Sequence, residues 1–318
     1  MIKKILGFHH ITAIAGDAQR NVDFYSGVLG LRLVKLTVNY DDPETYHLYY
    51  GDERGSPGSI LTFFSWPGAP GGRRGTGQLT TIAFSVPEGS LGYWLERLDD
   101  NAVTHEAPVT RLDEESLTLF DPDGLRLELV AGVAAAPESP WKEGPVSPER
   151  AIRRLRGVTL TEEGYELTAS LLTQTLGFRL VDEVGSRFRF QTGTGEPETV
   201  VDVLCLPGLQ SGWISVGAAH HVAWRTPNAD QQKSWREEIF GLGANVTPVM
   251  DRRYFRSIYF REPGGVLFEI ATDPPGFTVD EPVERLGSKL MLPPWLEPDR
   301  ARIEEVLPRL RLPQAAYV

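Results

Sequence analysis

The segment Phe24–Val34 reads FYSGVLGLRLV, and the segment Leu171–Val181 reads LLTQTLGFRLV. The two stretches align residue for residue, with Gly30 matching Gly177. Each pattern predicts the end of an amphipathic helix, a Leu-Gly turn in which the glycine ends the helix, and then a strand. A duplicated helix-turn-strand unit indicates that the fold is built from internal repeats.

A second pair of segments repeats at a similar spacing. DPDGLRLELV begins at Asp121 and EPGGVLFEIA begins at Glu262, and in each a Pro-x-Gly turn leads into a strand with a glutamate, Glu128 or Glu269. Upstream of each lies a short apolar strand followed by a loop and a helix. The chain therefore divides into four similar units, each reading as strand, helix and several strands. These units begin near Leu6, Leu79, Leu155 and Ala218.

Domain organisation follows from the repeats and from chain length. The 318 residues match the length of two average domains. A Pro-, Ala- and Ser-rich stretch at the midpoint has the composition of a linker. We therefore predict a first pair of units over residues 1–135, a linker over 136–150, a second pair over 151–277, and a C-terminal arm over 278–318 that packs on the surface.

Composition excludes several functional classes. Hydrophobic residues make up 41% and charged residues 24% of the chain, as in soluble globular proteins, and the net charge of -11 opposes contact with nucleic-acid phosphates. The single cysteine excludes an intrachain disulfide and any cysteine-built metal site, so a metal must sit on histidine and carboxylate. Without a signal-peptide pattern or an apolar span, we expect a cytoplasmic protein that binds neither nucleic acid nor membrane.

Two histidine doublets, His9-His10 and His220-His221, stand on the first strands of units 1 and 4. A single buried histidine is as often a hydrogen-bonded core residue as a ligand, but recurrence at matching strand positions favours a shared site. Side chains alternate along a strand, so one histidine of each doublet is expected to point into a given cavity while the other faces away or lines its rim. The pattern by itself does not say which.

Glu269 is the acidic partner expected for these histidines, because it lies in the otherwise apolar strand VLFEIAT. A carboxylate there is costly unless it pairs with an arginine or binds a metal. Glu128 is its repeat counterpart, but Thr81 and Gly157 stand where units 4 and 1 carry their doublets. The full set survives only in units 1 and 4, which predicts that these units share one cup and that units 2 and 3 form the other.

Two imidazoles and one carboxylate on one side of an ion leave three open positions, as in non-haem iron(II) oxygenases, although hydrolytic zinc uses the same ligand types. The segment before Glu269, DRRYFRSIYFREPGG, is dense in arginine and tyrosine. Arg252 and Tyr259 are the candidates for orienting a phenolate and stabilising developing negative charge. Ion pairs with the many acidic residues are the structural alternative for these arginines.

Other catalytic patterns are weak. The Gly-rich run over residues 68–77, GAPGGRRGTG, lacks the Gly-Lys-Ser/Thr ending of a phosphate loop and predicts a flexible loop. No nucleophile elbow of the form Gly-x-Ser-x-Gly occurs in the sequence. Covalent catalysis is therefore not supported.

The opening stretch HHITAIAGDAQRNVDFYSGVLGLRLVKLTVNYDDPETYHLYYGD, together with AAHHVAW and REPGGVLFEIATDPPGF, resembles the ring-cleaving dioxygenases of the vicinal oxygen chelate (glyoxalase-like) superfamily. Among these the likeness is to the hydroquinone dioxygenases, and it covers nearly the whole chain. The resemblance implies an α+β fold of four βαβββ modules in two paired-module cups. It also implies iron(II), with manganese(II) as the alternative, and cleavage of a hydroquinone or catechol with incorporation of both atoms of O2.

The resemblance also implies roles for particular residues. In that family the second histidine of each doublet and the strand glutamate bind the metal. Carried over to this sequence, the metal ligands are His10, His221 and Glu269. The pocket positions match His9, Thr12, His220, Arg252 and Tyr259.

The implied partners are a small aromatic substrate and O2, in the catabolism of aromatic compounds. A homo-oligomer is compatible with the resemblance. One alternative is a glyoxalase-like metal-dependent isomerase with zinc or nickel, which predicts four protein ligands where the sequence offers three. The other is a non-catalytic resistance protein that binds an aromatic compound.

Overall fold

The protein, described by a computed structural model over residues 4–132, 139–192 and 199–313, is built from two eight-stranded sheets. Part of the predicted linker, residues 136–138, and the end of the predicted arm, residues 314–318, lie outside the described residues. The domain boundaries drawn from the sequence stay a prediction. No helix in the described ranges is long and apolar enough to cross a membrane.

Sheet I is formed by the first and last repeats. Its strands are β1 (Phe8–Ala15), β2 (Arg32–Asn39), β3 (Asp42–Gly51), β4 (Ile60–Ser65), β13 (Ala219–Thr226), β14 (Met250–Asp251), β15 (Arg256–Arg261) and β16 (Leu267–Thr272). Their spatial order is β14-β15-β16-β13-β1-β4-β3-β2. The predicted pairing of unit 1 with unit 4 is confirmed.

Sheet II is formed by the second and third repeats. Its strands are β5 (Gln78–Val86), β6 (Val109–Arg111), β7 (Glu114–Phe120), β8 (Arg126–Ala131), β9 (Arg154–Glu162), β10 (Phe178–Val184), β11 (Arg187–Thr192) and β12 (Val200–Cys205). Their spatial order is β10-β11-β12-β9-β5-β8-β7-β6. Each repeat thus gives one strand, one helix and three further strands, which confirms four βαβββ modules in two curled sheets.

Each repeat has a helix between its first and second strands. These helices are α1 (Ala18–Val22), α2 (Leu91–Asp100), α3 (Glu166–Ser170) and α4 (Ala229–Gly241). After β16 the chain adds α5 (Arg300–Val306) and short 3₁₀ turns at Phe277–Val279, Val283–Arg285 and Glu297–Asp299.

The duplicated segments Phe24–Val34 and Leu171–Val181 adopt the same conformation. Helix α1 continues into a π-helical turn over Asp23–Val28, and α3 continues into one over Leu171–Thr175. Gly30 and Gly177 then adopt positive φ angles of 69° and 83°. A side chain would be strained in that conformation, so glycine ends both helices as predicted.

The two sheets are each joined at their centre by an antiparallel pair, β1 with β13 and β5 with β9. Each of these four strands carries a β-bulge, in which one extra residue interrupts the register. The extra residues are His9 and His220 in sheet I, and Thr80 and Arg156 at the matching repeat positions in sheet II. The bulge is therefore a property of the repeated unit, and in sheet I it falls on the first histidine of each doublet.

The main core includes buried faces of the two longer helices. Helix α2 contributes Leu91, Trp94 and Leu98, and helix α4 contributes Trp235 and Ile239. A smaller apolar cluster is formed jointly by strands of sheet I, the loop after β14 and the start of the arm. Its members are Val34, Tyr49, Ile60, Ala223, Tyr254, Phe255, Ala271, Phe277 and Leu286.

The Gly-rich run over residues 68–77 is not the free loop that its composition predicted. Gly71, Arg73 and Thr76 form bridges with the segment 211–216. A side chain at Gly75 would place its Cβ 2.2 Å from the carbonyl oxygen of Gln210. The glycine is needed because two backbones approach each other closely here.

Candidate metal centre

Three side chains from three strands of sheet I converge on one point. Nε2 of His10 on β1 lies 3.4 Å from Nε2 of His221 on β13. Oε2 of Glu269 on β16 lies 3.3 Å from His10 Nε2 and 2.9 Å from His221 Nε2. Neighbouring ligands of an octahedral ion lie about 3 Å apart when each metal-ligand bond is about 2.1 Å. The three separations therefore suit adjacent positions around one ion.

Hydrogen bonding around Glu269 also fits a metal. The side chain is completely buried, and Oε1 accepts a hydrogen bond from the Ser257 hydroxyl. Oε2 has no hydrogen-bond donor in an acceptable geometry, although both imidazoles are near. A buried carboxylate oxygen without a donor is costly, whereas a cation at this point would satisfy it. The donor set of two nitrogens and one oxygen suits iron(II) or zinc.

The protonation states favour the metal-binding forms. Burial opposes ionisation of Glu269, but the adjacent imidazoles of His10 and His221 hold the pKa of its carboxyl well below the usual range. Burial also lowers the pKa of His221, which keeps the imidazole neutral with a lone pair available. A neutral imidazole and an ionised carboxylate are the forms that bind metal ions.

The first histidine of each doublet contacts the second. Nδ1 of His9 lies 2.9 Å from Nδ1 of His10, and Nδ1 of His220 lies 2.7 Å from Nδ1 of His221. Burial, followed by the adjacent histidine, lowers the pKa of His9 to about 3 and that of His220 to about 3, so both rings are neutral. When Nε2 of the second histidine faces a metal, its Nδ1–H donates to the first, which fixes tautomer and ring orientation.

The bulges explain how neighbouring residues come to lie together. Strict alternation would separate the two rings of a doublet, but an extra residue in the strand re-aims its side chain. As a result His220 and His221 both line the same cavity. His10 lines it too, while His9 lies behind His10 and packs against the ring of Phe255.

A cavity of about 190 Å³ opens beside the three donors. Its volume suits a single-ring aromatic compound rather than a large ligand. The wall is mixed, with aromatic rings and several polar groups. Lining residues are His10, Thr12, Asn39, Tyr40, His47, Tyr49, Phe64, His220, His221, Arg252, Phe255, Tyr259 and Leu267.

Arg252 and Tyr259 lie next to each other on this wall. Nε of Arg252 donates to the Tyr259 hydroxyl at 3.3 Å, and its Nη1 donates to Asp41 at 2.9 Å. Burial raises the pKa of Tyr259, so the hydroxyl keeps its proton. Thr12 contacts Thr62, with 2.9 Å between the two hydroxyl oxygens. The structure thus places every site residue expected from the sequence in the three-donor cluster, in a contact with that cluster or on the cavity wall.

Sequence reasoning missed several polar residues of the site, among them His47, Tyr49 and Ser257. His47 and Tyr49 line the cavity, and Ser257 holds Glu269. The first two stand two residues apart in β3, so period-two alternation places them on one face and was the available signal. Ser257 has no comparable sequence signal, because it reaches Glu269 only through the pairing of β15 with β16.

Sheet II has an ion-pair network where sheet I has the candidate metal cluster. Glu128 pairs with Ala83 in sheet II, just as Glu269 pairs with Ala223 in sheet I, so the two glutamates occupy equivalent positions. Its Oε2 accepts from Arg111 at 2.9 Å, so the carboxylate is neutralised by arginine. Among the residues that the structure describes, His10, His221 and Glu269 form the metal-type cluster.

Comparisons with known proteins agree with this geometry. The family model of the Glyoxalase/Bleomycin resistance protein/Dioxygenase superfamily matches residues 7–129 and 155–270. A Bacillus subtilis (strain 168) protein named as a candidate ring-cleaving dioxygenase, MhqO, is 46% identical over 307 residues, covering 96% of this chain and 97% of its own.

Two further relatives extend the comparison. The chlorohydroquinone/hydroquinone 1,2-dioxygenase of Sphingobium indicum is 36% identical over 303 residues, covering 93% of this chain and 94% of its own. A crystal structure of a candidate dioxygenase from Bacillus subtilis subsp. subtilis str. 168 superposes with a TM-score of 0.94 at 45% identity, covering 98% of this chain and 99% of that one.

Proposed function

Because this chain belongs to the Glyoxalase/Bleomycin resistance protein/Dioxygenase superfamily, we propose that it is an iron(II)-dependent ring-cleaving dioxygenase of hydroquinones. Its substrate class is a single-ring aromatic diol of hydroquinone or catechol type, and both atoms of O2 enter the product. Manganese(II) is the alternative metal. The proposal is supported by the names of relatives that are 36% to 46% identical over more than nine-tenths of the chain.

One observation carries the proposal: His10, His221 and Glu269 present three buried donors on one side of a point that faces a cavity of single-ring size. Three protein ligands leave further positions for a substrate oxygen and for O2. Iron(II) bound there would supply Lewis acidity toward a phenolic hydroxyl and the redox capacity to activate O2.

The chain's own residues bind and orient the ring. The Tyr259 hydroxyl, held by Arg252, donates a hydrogen bond toward a negatively charged oxygen in the cavity. The Arg252 guanidinium lies over the Tyr259 ring and adds a positive charge to the same wall. These two groups favour a phenolate over a neutral phenol, which assists removal of the hydroxyl proton.

Aromatic residues exclude water from the reacting atoms. Phe255 packs against the ring of His10 with centroids 5.0 Å apart, and Phe64 packs against His220 at 5.8 Å. A dry wall strengthens the hydrogen bonds to a charged substrate and limits the access of water to reactive species. His220 is neutral and lines the cavity, and because its Nδ1 accepts from the Nδ1–H of His221, its Nε2 carries the proton.

The proposal also covers the cellular location of the enzyme and its partners. The net charge of -11 and the single cysteine support a cytoplasmic catabolic enzyme that binds neither nucleic acid nor membrane. Its partners are then the aromatic substrate and O2, either as a monomer or as a homo-oligomer.

The test is oxygen uptake after anaerobic loading with iron(II), using hydroquinone, its chlorinated and methylated forms, and catechol. We expect uptake with at least one hydroquinone, and mass spectrometry after reaction in ¹⁸O₂ should find two labelled atoms in the product. Glu269→Gln keeps the side-chain shape but removes the charge, and it should lose both iron and uptake. Glu128→Gln is the matched control and should keep both.

Absence of uptake with every diol would contradict the dioxygenase proposal. The glyoxalase-like isomerase predicts instead activity with zinc or nickel in the absence of O2. The resistance-protein alternative predicts tight binding of the aromatic compound without turnover. Of these three, the dioxygenase fits best, because the described cluster has three ligands and each is held by a supporting contact.

A further inference from the structure

A continuous chain of hydrogen bonds runs along the wall of the cavity through His47. Thr12 Oγ1 lies 2.9 Å from Thr62 Oγ1, and Thr62 Oγ1 lies 2.8 Å from Nε2 of His47. Nδ1 of His47 lies 3.0 Å from the Tyr49 hydroxyl. Every member is thus linked to the next at hydrogen-bond distance.

Three members of this chain line the cavity, and the fourth, Thr62, is sealed from it. Thr12, His47 and Tyr49 line the cavity, whereas Thr62 is completely buried between β1 and β3. Thr12 is two residues beyond the proposed ligand His10 on β1, so it marks the metal end of the cavity. Tyr49 packs against the ring of Phe277, with centroids 5.2 Å apart.

Both ring nitrogens of His47 are used inside the chain. Burial lowers the pKa of His47 well below its ordinary value, so the ring is neutral, with one N–H and one lone pair. A neutral imidazole between two hydroxyls can be bonded in either of two directions. Either Thr62 donates to Nε2 while Nδ1–H donates to Tyr49, or Tyr49 donates to Nδ1 while Nε2–H donates to Thr62.

These two directions differ at Thr12. In the first, Thr12 donates to Thr62, so its oxygen is free to accept a hydrogen bond from a substrate hydroxyl. In the second, Thr62 donates to Thr12, so the Thr12 proton is free to be donated to a substrate oxygen anion. Conversion between them carries a proton from one end of the chain to the other without charging His47.

We propose that His47 is the positioning residue of a proton relay, Thr12–Thr62–His47–Tyr49, that removes the hydroxyl proton of a bound hydroquinone. The proposal rests on the proposed function and deepens it. The substrate O–H bond breaks and its proton passes to Thr12, the Thr12 proton passes to Thr62, and the Thr62 proton passes to Nε2. The Nδ1 proton passes to Tyr49, whose own proton passes to water in the cavity.

Protons and charges balance in this transfer. The substrate becomes an anion and one proton reaches water, while every protein group ends neutral with one proton as before. No oxidant or reductant takes part. Because the chain passes through buried Thr62, a proton can leave the metal end of the cavity without water entering between the substrate and the metal ligands.

Thr62→Val removes the central hydroxyl at nearly constant shape, and Thr62→Ser restores it. A matched control exists in sheet II, where the hydroxyl oxygens of Thr80 and Thr161 lie 2.7 Å apart away from the metal cluster. Thr161→Val therefore removes the same kind of hydroxyl–hydroxyl contact from sheet II. Tyr49→Phe breaks the relay at its far end and His47→Gln breaks it in the middle.

The measurement is anaerobic stopped-flow mixing of the iron-loaded protein with nitrohydroquinone, whose anion absorbs visible light. Oxygen uptake with hydroquinone and the solvent deuterium isotope effect on kcat are measured in parallel. We expect Thr62→Val, His47→Gln and Tyr49→Phe to slow anion formation and kcat by about tenfold to a hundredfold. Thr62→Ser and Thr161→Val should stay near wild type, and the iron content should not change in any of the variants.

Equal impairment of Thr62→Val and Thr62→Ser, or wild-type rates in Thr62→Val and Tyr49→Phe, would overturn the relay. A wild-type protein that forms no anion would overturn it as well. A wild-type protein that forms the anion but consumes no oxygen would contradict the proposed function instead, and the rates of anion formation in the variants would still decide the relay.

Discussion

Nδ1 of His220 lies 2.7 Å from Nδ1 of His221, and His220 is the extra residue of the β-bulge in β13. The bulge therefore sets which nitrogen of His221 is left to face the Glu269 carboxylate. A residue outside the cluster of His10, His221 and Glu269 thus orients one inside it.

The first prediction concerns this contact. His220→Ala removes the acceptor for the Nδ1–H of His221, so the ligand ring loses its fixed tautomer and orientation. We expect iron(II) affinity to fall about 10- to 100-fold, measured by anaerobic titration against a competing chelator. His105→Ala changes a histidine that pairs with Asp99 on α2, and it should bind iron like the wild type. Unchanged affinity in His220→Ala would refute the supporting role.

The second prediction concerns the charged wall of the cavity. Tyr259→Phe keeps the ring but removes the hydroxyl that Arg252 holds. We expect kcat/KM for hydroquinone to fall about 10²-fold while the iron content stays unchanged. Arg256→Gln alters an exposed arginine on the same strand, β15, and serves as control. If both variants lost activity equally, the effect would lie in the strand and not in the hydroxyl.

The third prediction separates the two sheets. Glu128→Gln weakens the ion pair with Arg111 in sheet II and leaves the partly buried guanidinium of Arg111 less well paired. We expect a loss of about 1 to 3 kcal/mol in the free energy of unfolding, measured by urea denaturation, with no change in iron content or turnover. Loss of iron from this variant would mean that the metal lies in sheet II.

The fourth prediction is a pH dependence of stability. The Thr168 hydroxyl lies 2.8 Å from Oε2 of Glu162 and 2.6 Å from Oε2 of Glu262, so two buried carboxyls share one hydroxyl. Burial, followed by the charge of Glu262, raises the pKa of Glu162 to about 8 from 4.5. Glu262 instead accepts from backbone N–H groups of Gly264 and Val266, which suits the ionised member.

The sign follows from the raised pKa. Between pH 4.5 and 8 the folded protein keeps a proton on Glu162 that the unfolded chain has lost. The free energy of unfolding therefore contains a contribution from Glu162 that is fully present below pH 4.5 and is lost as the pH rises through 8. Glu162→Gln keeps the neutral shape, and its advantage over wild type should grow by about 1.4 kcal/mol per pH unit in this window. Urea denaturation from pH 5 to 8 measures it. Glu163→Gln changes an exposed neighbouring residue, and its free energy of unfolding relative to wild type should not vary with pH in this window. An equal pH dependence in this control would exclude the buried pair as the cause.

Much of the fold could be predicted from the repeats. The helix-Gly-strand segments and the two glutamate strands gave the four units, and loss of the histidines from units 2 and 3 predicted that units 1 and 4 pair. These inferences succeed because periodicity and glycine positions are local properties of the chain. The structure of the Gly-rich run could not be predicted in this way. A glycine is required at Gly75 because the backbone of Gln210, which is distant in sequence, approaches it closely.

The sequence by itself determined the chemistry available to this protein: two histidine doublets, a glutamate in an apolar strand, and an arginine-tyrosine segment before it. Only the tertiary structure decided how these groups meet. The bulges at His9 and His220 arise from the register between β1 and β13, two strands that pair in the sheet although about 200 residues separate them in the sequence. The contacts of Ser257 with Glu269 and of His47 with Thr62 depend equally on strand pairing, because an interaction between strands is fixed by register and not by the composition of either one.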